Sequence, residues 1–406
     1  MTPVQAILQF PRRCLGPTAI LLAAALLVVS PALSQDTVTI GYLALEPGDH
    51  DPVSLLDPVI EDDGVQGVRL AIEDNNATGT FMGQEFALEE RVAAEDGDLI
   101  AALQELLDAG AKWLVADLPR DELLSVTDAL DGQDVVVFNI RAPDNVLRNE
   151  ECRENLFHTT PSRAMLADAL AQFLVFKRWN RWALVVGNAD EDRRLAEAIA
   201  HSAERFGGQI VGEKDWPHTP LARRAEGGFH AIQREVPVFL QDLPDHDILL
   251  VLDETDYFGE YIPYQTWLAR PVGGTQGLKP AAWHRAHESW GAVQLHRRFE
   301  QQADRWMTPR DFAGWVAVRA IGEAATRTRS VEPGEMRDYL LGDDFGLGAY
   351  LGDPVTFREW DRQLRQPILV AGPRMIASVS PQEGFLHPRT PHDTLGDDEP
   401  ESGCTQ

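Results

Sequence analysis

The side chains best suited to chemistry in this 406-residue chain are carboxylates placed where apolar runs end. The run Ile248–Leu252 is followed at once by Asp253, Glu254, Thr255, Asp256 and Tyr257. Trp113–Ala116 is followed by Asp117, and Val38–Leu43 leads into a loop holding Glu46, Asp49, His50, Asp51 and Asp57. Hard cations such as calcium take roughly six to eight oxygen ligands, so these groups suit a cation if the fold gathers them. No EF-hand spacing is present, and polar loops of an acidic protein give the same pattern. Glu254 is equally suited to accept an amine or hydroxyl of an organic ligand. Tyr257, Phe258, Tyr261, Tyr264 and Trp267 follow as a dense aromatic patch. Such rings suit an aromatic alcohol, acid or quinone, or simply pack on a sheet. Tyr257, nearest the strand end, is expected to face a ligand, and Trp283 and His284 come next. His284 and His287 lie three apart, but the run matches neither His-Glu-x-x-His nor its inverted form. There is no Gly-x-Ser-x-Gly elbow and no phosphate-cradling glycine loop. No catalytic residue, metal ligand or cofactor is therefore assigned, and the chain is read as not an enzyme.

The elements that must position these residues alternate. Strands are expected at 38–43, 86–92, 113–116 and 135–138. Helices are expected at 64–76, 99–109 and 120–130, the first stopped by Asn75-Asn76-Ala-Thr-Gly79. The pattern restarts with helices at 162–176, 191–206 and 226–236 and strands at 182–186, 209–214, 248–252 and 279–283. Short apolar strands alternating with helices indicate parallel sheets covered on both faces. Amphipathic helices at 294–303, 309–326 and 333–341 break the alternation, and strands at 355–357 and 366–370 follow. Residues 384–406 have little periodicity, and Asp397-Asp398-Glu399 reads as solvated coil.

Arg12 and Arg13, an apolar run from Ala19 to Val29, and small residues before Gln35 make residues 1–34 a cleavable signal peptide. An uncleaved anchor is the alternative, for which the run is short against the roughly 20 residues a span needs. The remaining chain is long enough for two lobes. A net charge of −28 argues against nucleic acid or anionic lipid as partners. Beyond the signal only Cys152 and Cys404 remain. In an oxidising compartment they are candidates for a disulfide, and two separate thiols are the alternative.

Four stretches carry a family likeness: Thr39-Ile-Gly-Tyr42, Gly67-Val-Arg-Leu-Ala-Ile-Glu-Asp-Asn75, Asn155-Leu-Phe-His-Thr-Thr-Pro161 and Asp311-Phe-Ala-Gly-Trp-Val-Ala-Val-Arg-Ala-Ile321. In this order they resemble the type I periplasmic binding proteins that serve branched-chain amino acid ABC transporters. Cys152–His158, Ser162–Gln172, Phe258–Tyr264, Arg365–Pro373 and Ser378–Leu386 resemble a subgroup linked to pyrroloquinoline-quinone-dependent alcohol dehydrogenases. The resemblance implies a two-lobed α/β fold with three hinge crossovers. Lobe one would be 36–155 plus 290–345, lobe two 156–289 plus 346–385, and 386–406 a tail. It further implies a monomer in the periplasm that binds a small ligand in the inter-lobe cleft and delivers it to an inner-membrane permease. A sensing role beside a receptor, or binding of a calcium or lanthanide ion or its chelate, are the alternatives.

Amino-acid binders of that family place Ser/Thr residues after the third and fourth strands. Here those loops read Asp117-Leu-Pro-Arg-Asp121 and Asn139-Ile-Arg-Ala-Pro143. An aspartate there is expected to repel a carboxylate, which argues against an ordinary α-amino acid. The ligand-binding set expected is Asp117, Asn139, Arg141, Asp253, Glu254, Tyr257 and Trp283, with Cys152 and Cys404 as the disulfide.

Overall fold

The computed structural model describes residues 36–46, 59–94, 96–218 and 228–404. The signal peptide therefore lies outside the described residues, as do Asp49, His50, Asp51 and Asp57.

Strands β1 (Asp36–Leu45), β2 (Gln84–Ala93), β3 (Trp113–Asp117), β4 (Val136–Asn139) and β5 (Leu156–His158) form a parallel sheet in the order β2-β1-β3-β4-β5. Strand β3 shows why. Its side chains alternate between two buried faces, so every residue of the strand is apolar until Asp117. Trp113 and Val115 join one core with Ile40, Tyr42, Val136 and Phe138, covered by α1 (Val65–Met82) and α8 (Pro309–Thr328). Leu114 and Ala116 join a second core on the opposite face, under α2 (Leu99–Asp108) and α3 (Arg120–Ala129). Helix α1 outruns its expected stop and continues to Met82. Asn75 is spent on a bond to the Val318 carbonyl of α8 (2.8 Å), so its turn propensity is overridden by packing. The close approach of α1 to α8 needs Gly67, where any Cβ would meet the backbone of Asp311.

The second sheet repeats the design. Strands β6 (Arg181–Val186), β7 (Gln209–Asp215), β8 (Ile248–Leu252) and β9 (Val272–Gly274) are parallel in the order β7-β6-β8-β9. Trp182, Leu184 and Val186 face α4 (Arg163–Phe176) and α5 (Asp190–Phe206), while Ala183 and Val185 face α6 (Gly228–Leu240). Ser162 caps α4 by accepting from the Met165 amide (3.1 Å). A small antiparallel sheet, β10 (Lys279–Ala281), β13 (Ile368–Gly372) and β14 (Met375–Ser380), packs on α4. Thr356–Phe357 (β11) pairs with Leu364–Arg365 (β12). Helices α7 (Ala292–Ala303) and α9 (Pro333–Leu341) complete the first lobe.

Two boundaries differ from those drawn on the sequence. Ala282 and Trp283 are buried in the first lobe's core, so the chain returns before residue 290. Leu347, Leu351, Phe357 and Leu364 are in that core as well, so it leaves again after residue 345. The first and third passages between lobes run side by side. The amide of His158 donates to Arg362 O (3.1 Å), and Arg148 Nε donates to Gln363 Oε1 (2.9 Å).

The tail is anchored, and of the acidic cluster expected as solvated coil Asp397 and Asp398 are half-buried while Glu399 is exposed. Leu395 is fully buried with Met165, Ala169 and Ile368, and Asp393 pairs with the buried Arg358 (2.9 Å) and with Arg365 (2.8 Å). Asp397 accepts from Asn149 (2.7 Å), and a disulfide links Cys404 to Cys152, whose Cα atoms are 5.8 Å apart. The tail thus touches α4 of the second lobe and the 148–152 segment between β4 and β5 of the first. Short range periodicity carried no trace of this because the grip is made by ion pairs and backbone carbonyls rather than by an apolar stripe. Among the described residues no helix is long and apolar enough to cross a membrane.

Candidate functional site

Parallel strands deliver their carboxyl ends to one edge of each sheet, which is where open α/β sheets take ligands. Here a cavity of about 690 Å³ opens between the lobes at the carboxyl edge of the second sheet, and Asp117, Asn139 and Arg141 at the first sheet's edge are not among the residues that line it. Ile60, His284, Trp306 and Thr308 line it from the first lobe, and Glu254, Asp256 and Thr275 from the second. The wall at the end of β9 is glycine for steric reasons. Gly274 has φ 97°, and a Cβ there would strike the Val251 carbonyl.

On the second-lobe wall the strand-end carboxylates have unequal roles. Asp253 is 2% exposed and is spent on its own loop, accepting from the amides of Tyr257 (3.0 Å), Phe258 (2.8 Å) and Gly259 (2.6 Å). Glu254 borders the cavity but is gripped by Arg163, whose Nε lies 2.9 Å from both carboxylate oxygens and whose Nη2 lies 2.7 Å from Oε2. Arg163 also donates Nη1 to Asp144 on the first lobe (2.7 Å), so one guanidinium ties the two lobes together. Burial pushes the Glu254 carboxyl upward against the pull of Arg163. The Tyr257 ring packs against the cluster that holds Phe258 and does not reach the cavity; Asp256 and Glu260 occupy the wall instead. Phe258 and Tyr261 are buried, whereas Tyr264 and Trp267 are exposed.

Trp283 touches the cavity but is fully buried in the first lobe's core, its ring stacked on Phe312 at 4.4 Å. It is a wall of the first lobe rather than an aromatic at the end of a second-lobe strand. His284 accepts at Nδ1 from the Ala286 amide (3.1 Å), which puts its proton on Nε2 when neutral. Burial, followed by the charges of Arg285 and Lys279, lowers its pKa to about 4, so it is neutral at pH 7.

On the first lobe, Asn139 is an internal brace. Its Oδ1 accepts from the amides of Arg141 (3.0 Å) and Ala142 (2.8 Å), and its Nδ2 donates to the Ala142 carbonyl (2.8 Å). Asp117, 4% exposed, accepts at Oδ2 from the Tyr42 hydroxyl (2.9 Å). Arg141 Nη1 and Arg310 Nη1 lie 3.8 and 3.6 Å from its Oδ1. Arg310 also lies 3.6 Å from Asp63, which bonds the hydroxyl of the cavity-lining Thr308. Asp117, expected to repel a carboxylate, thus does not stand alone: two guanidiniums stand beside it. Arg310 was not among the residues expected from sequence. Thr308 and Pro309, an N-cap and a first-turn proline, are the signal that could have placed it at a helix start. Among the described residues no three His, Cys, Asp or Glu side chains gather as a metal site, so the strand-end carboxylates described here do not form one.

A sequence profile of the periplasmic binding proteins matches residues 56–224. No curated protein matches the whole sequence closely enough to name as a relative. Solved structures match throughout. A branched-chain amino acid ABC transporter ligand-binding protein from Burkholderia xenovorans LB400 superposes with a TM-score of 0.66 at 15% identity, over 91% of this chain and 99% of that one. The chain has the two-lobed fold of a type I periplasmic binding protein. The same fold is shared with a solute-binding protein from Rhodopseudomonas palustris BisB5, solved with 3,4-dihydroxybenzoic acid (TM-score 0.60, 13% identity, 83% and 93% coverage). It is shared too with the closed form of a leucine-, isoleucine-, valine-, threonine- and alanine-binding protein from Brucella ovis (TM-score 0.64, 12% identity, 91% and 99% coverage). The two-lobed fold with its parallel sheets is thus what these structures share with this chain.

Proposed function

We propose that this protein is the solute-binding component of an ABC transporter, acting in the periplasm without covalent chemistry. It would hold one small organic molecule in the inter-lobe cavity and present it to a membrane permease. The observation that supports this most is the cavity itself: about 690 Å³, with one wall from each lobe, beside the carboxyl ends of the second lobe's parallel strands. The structures sharing the fold are described as transporter binding proteins, with leucine in one and 3,4-dihydroxybenzoate in another. Trp283 and Trp306 at the cavity suit a ligand with an aromatic or quinone-type body. The stretches Phe258–Tyr264 and Arg365–Pro373 are the basis for assigning the protein to a system of pyrroloquinoline-quinone-dependent alcohol oxidation.

The test is a thermal-shift screen of the purified protein after chelator treatment, with amino acids, aromatic acids and alcohols, pyrroloquinoline quinone, calcium and a lanthanide. A ligand at about 100 times its Kd adds roughly 2.7 kcal/mol of stability, which is readily seen. A saturable shift with an organic compound returned unaltered supports the reading. Turnover of the compound, or a shift with metal alone, refutes it.

A further inference from the structure

We propose that the cavity continues from the lobe interface into the second lobe as an apolar chamber, and that the ligand is an amphipathic organic molecule whose aryl or alkyl end enters it. This rests on the solute-binding reading and gives the substrate class and the residues that set its size.

Two pairs of side chains mark the chamber. Leu166 and Leu170 on α4, and Leu195 and Ile199 on α5, all line the cavity. Each pair is spaced i, i+4, so its members share one helix face and stand one turn, about 5.4 Å, apart. Both helices begin at the lobe interface. Arg163 opens α4 and reaches Asp144 of the first lobe (2.7 Å), and Asp192 in the first turn of α5 accepts from the amide of cavity-lining Glu254 (2.7 Å). The cavity therefore follows the two helices inward by a turn. Leu170, Leu195 and Ile199 belong with Leu252 to the second lobe's core, and the most exposed of them, Leu195, is at 8%.

The small antiparallel sheet that packs on α4 contributes short side chains to the same cavity: Ala281 of β10, and Ala371 and Gly372 of β13. Gly372 is not small for want of room. A Cβ there would meet Met375 at 3.6 Å and beyond, an ordinary contact, unlike the clash at Gly274. Protein interiors are close-packed, and side chains that face a gap lose dispersion partners. Water does not replace those partners, because a buried water needs about two to four polar groups and these side chains offer none. Charge lies at the other end. Asp256, Lys279 and Arg285 line the same cavity and are exposed, and Glu254 and His284 are half-buried. Polarity thus runs from a charged rim to an apolar floor, the complement of a polar head on an apolar body. The volume of about 690 Å³ is that of sites for organic molecules rather than for a bare ion.

The experiment locates an apolar probe and measures how its length matters. Crystals of the protein are pressurised with xenon, and the protein in solution is titrated calorimetrically with benzyl alcohol, 2-phenylethanol, 3-phenylpropanol and 4-phenylbutanol. Xenon density is expected between the Leu166–Leu170 and Leu195–Ile199 pairs. Affinity should rise about threefold to fourfold per added methylene until the chamber is full. A371L, which fills the chamber, should cost the longer alcohols about tenfold or more and spare benzyl alcohol. L195A, which enlarges it, should move the best chain length upward. Opposite shifts separate a size-setting role from a general loss of stability, and folding is followed by circular dichroism. Should A371L not fold, L195A and xenon in the wild type decide. No xenon between the helices, affinity independent of chain length, or an unchanged length preference in folded variants overturns the chamber. Binding of amino acids without any length dependence among the alcohols overturns the chamber and leaves the solute-binding reading intact. Xenon in the chamber and length-dependent binding with the alcohols chemically altered on incubation uphold the chamber and refute that reading.

Discussion

Replacing Arg163 with methionine should be the most damaging single change near the cavity. The side chain is 3% exposed and donates to carboxylates on both lobes, at 2.7 Å to Asp144 and 2.7 to 2.9 Å to Glu254. Methionine fills much of the space but leaves two acids facing each other. Among the described residues Asp144, 8% exposed, would keep only a 3.5 Å approach from Arg194. Breaking a buried pair by deleting one partner costs roughly 3–5 kcal/mol. Glu254 is 21% exposed, so water takes up part of its charge and the low end applies, about 3 kcal/mol. The assay is urea unfolding of wild type, R163M, E254Q and the double variant. E254Q alone leaves Arg163 with Asp144 and should cost less. Because the two residues touch, the double variant should be more stable than the sum of the single losses predicts, by about 1 kcal/mol or more. A loss below about 1 kcal/mol in R163M, or strict additivity, would show that the guanidinium does not hold the lobes as the distances indicate.

Two other outcomes follow from other buried groups. Burial raises the carboxyls of Asp168 and Asp192 to about 6, so each binds its proton more tightly folded than unfolded. Stability should therefore fall as pH rises from about 4 to about 6, by about 3 kcal/mol for Asp168. D168N should flatten that slope in unfolding measured at half-unit pH steps, and an unchanged slope would exclude Asp168 as its source. G67A places a Cβ against the backbone of Asp311 and forces α1 from α8. Overpacking of this kind costs about 1–3 kcal/mol, so an unaltered thermal midpoint would contradict the helix contact.

The layered fold was legible because strands buried on both faces are apolar throughout. Trp113-Leu-Val-Ala116 and Ile248–Leu252 could be read without knowing their neighbours. Strand β5 was not, since three residues between loops carry no period, and the tail was not, since its hold depends on Arg358 and Arg365 meeting Asp393. The candidate site was legible by address rather than by role. Strand ends pointed to Asp117, Asn139, Asp253 and Glu254. Sequence cannot show that Asn139 and Asp253 turn back on their own backbone amides. Nor can it show that Glu254 is already held by Arg163. The charge around Asp117 was not legible for a related reason. Asp117 taken alone is a repulsive carboxylate, but its surroundings are set by Tyr42 from β1, Arg141 from the loop after β4 and Arg310 from α8. Three distant segments meet there only because β1, β3 and β4 are adjacent in the sheet and α8 lies across the same face. A local motif reports the residue that a strand delivers to the cleft; the electrostatics a ligand meets belongs to the elements that converge on it.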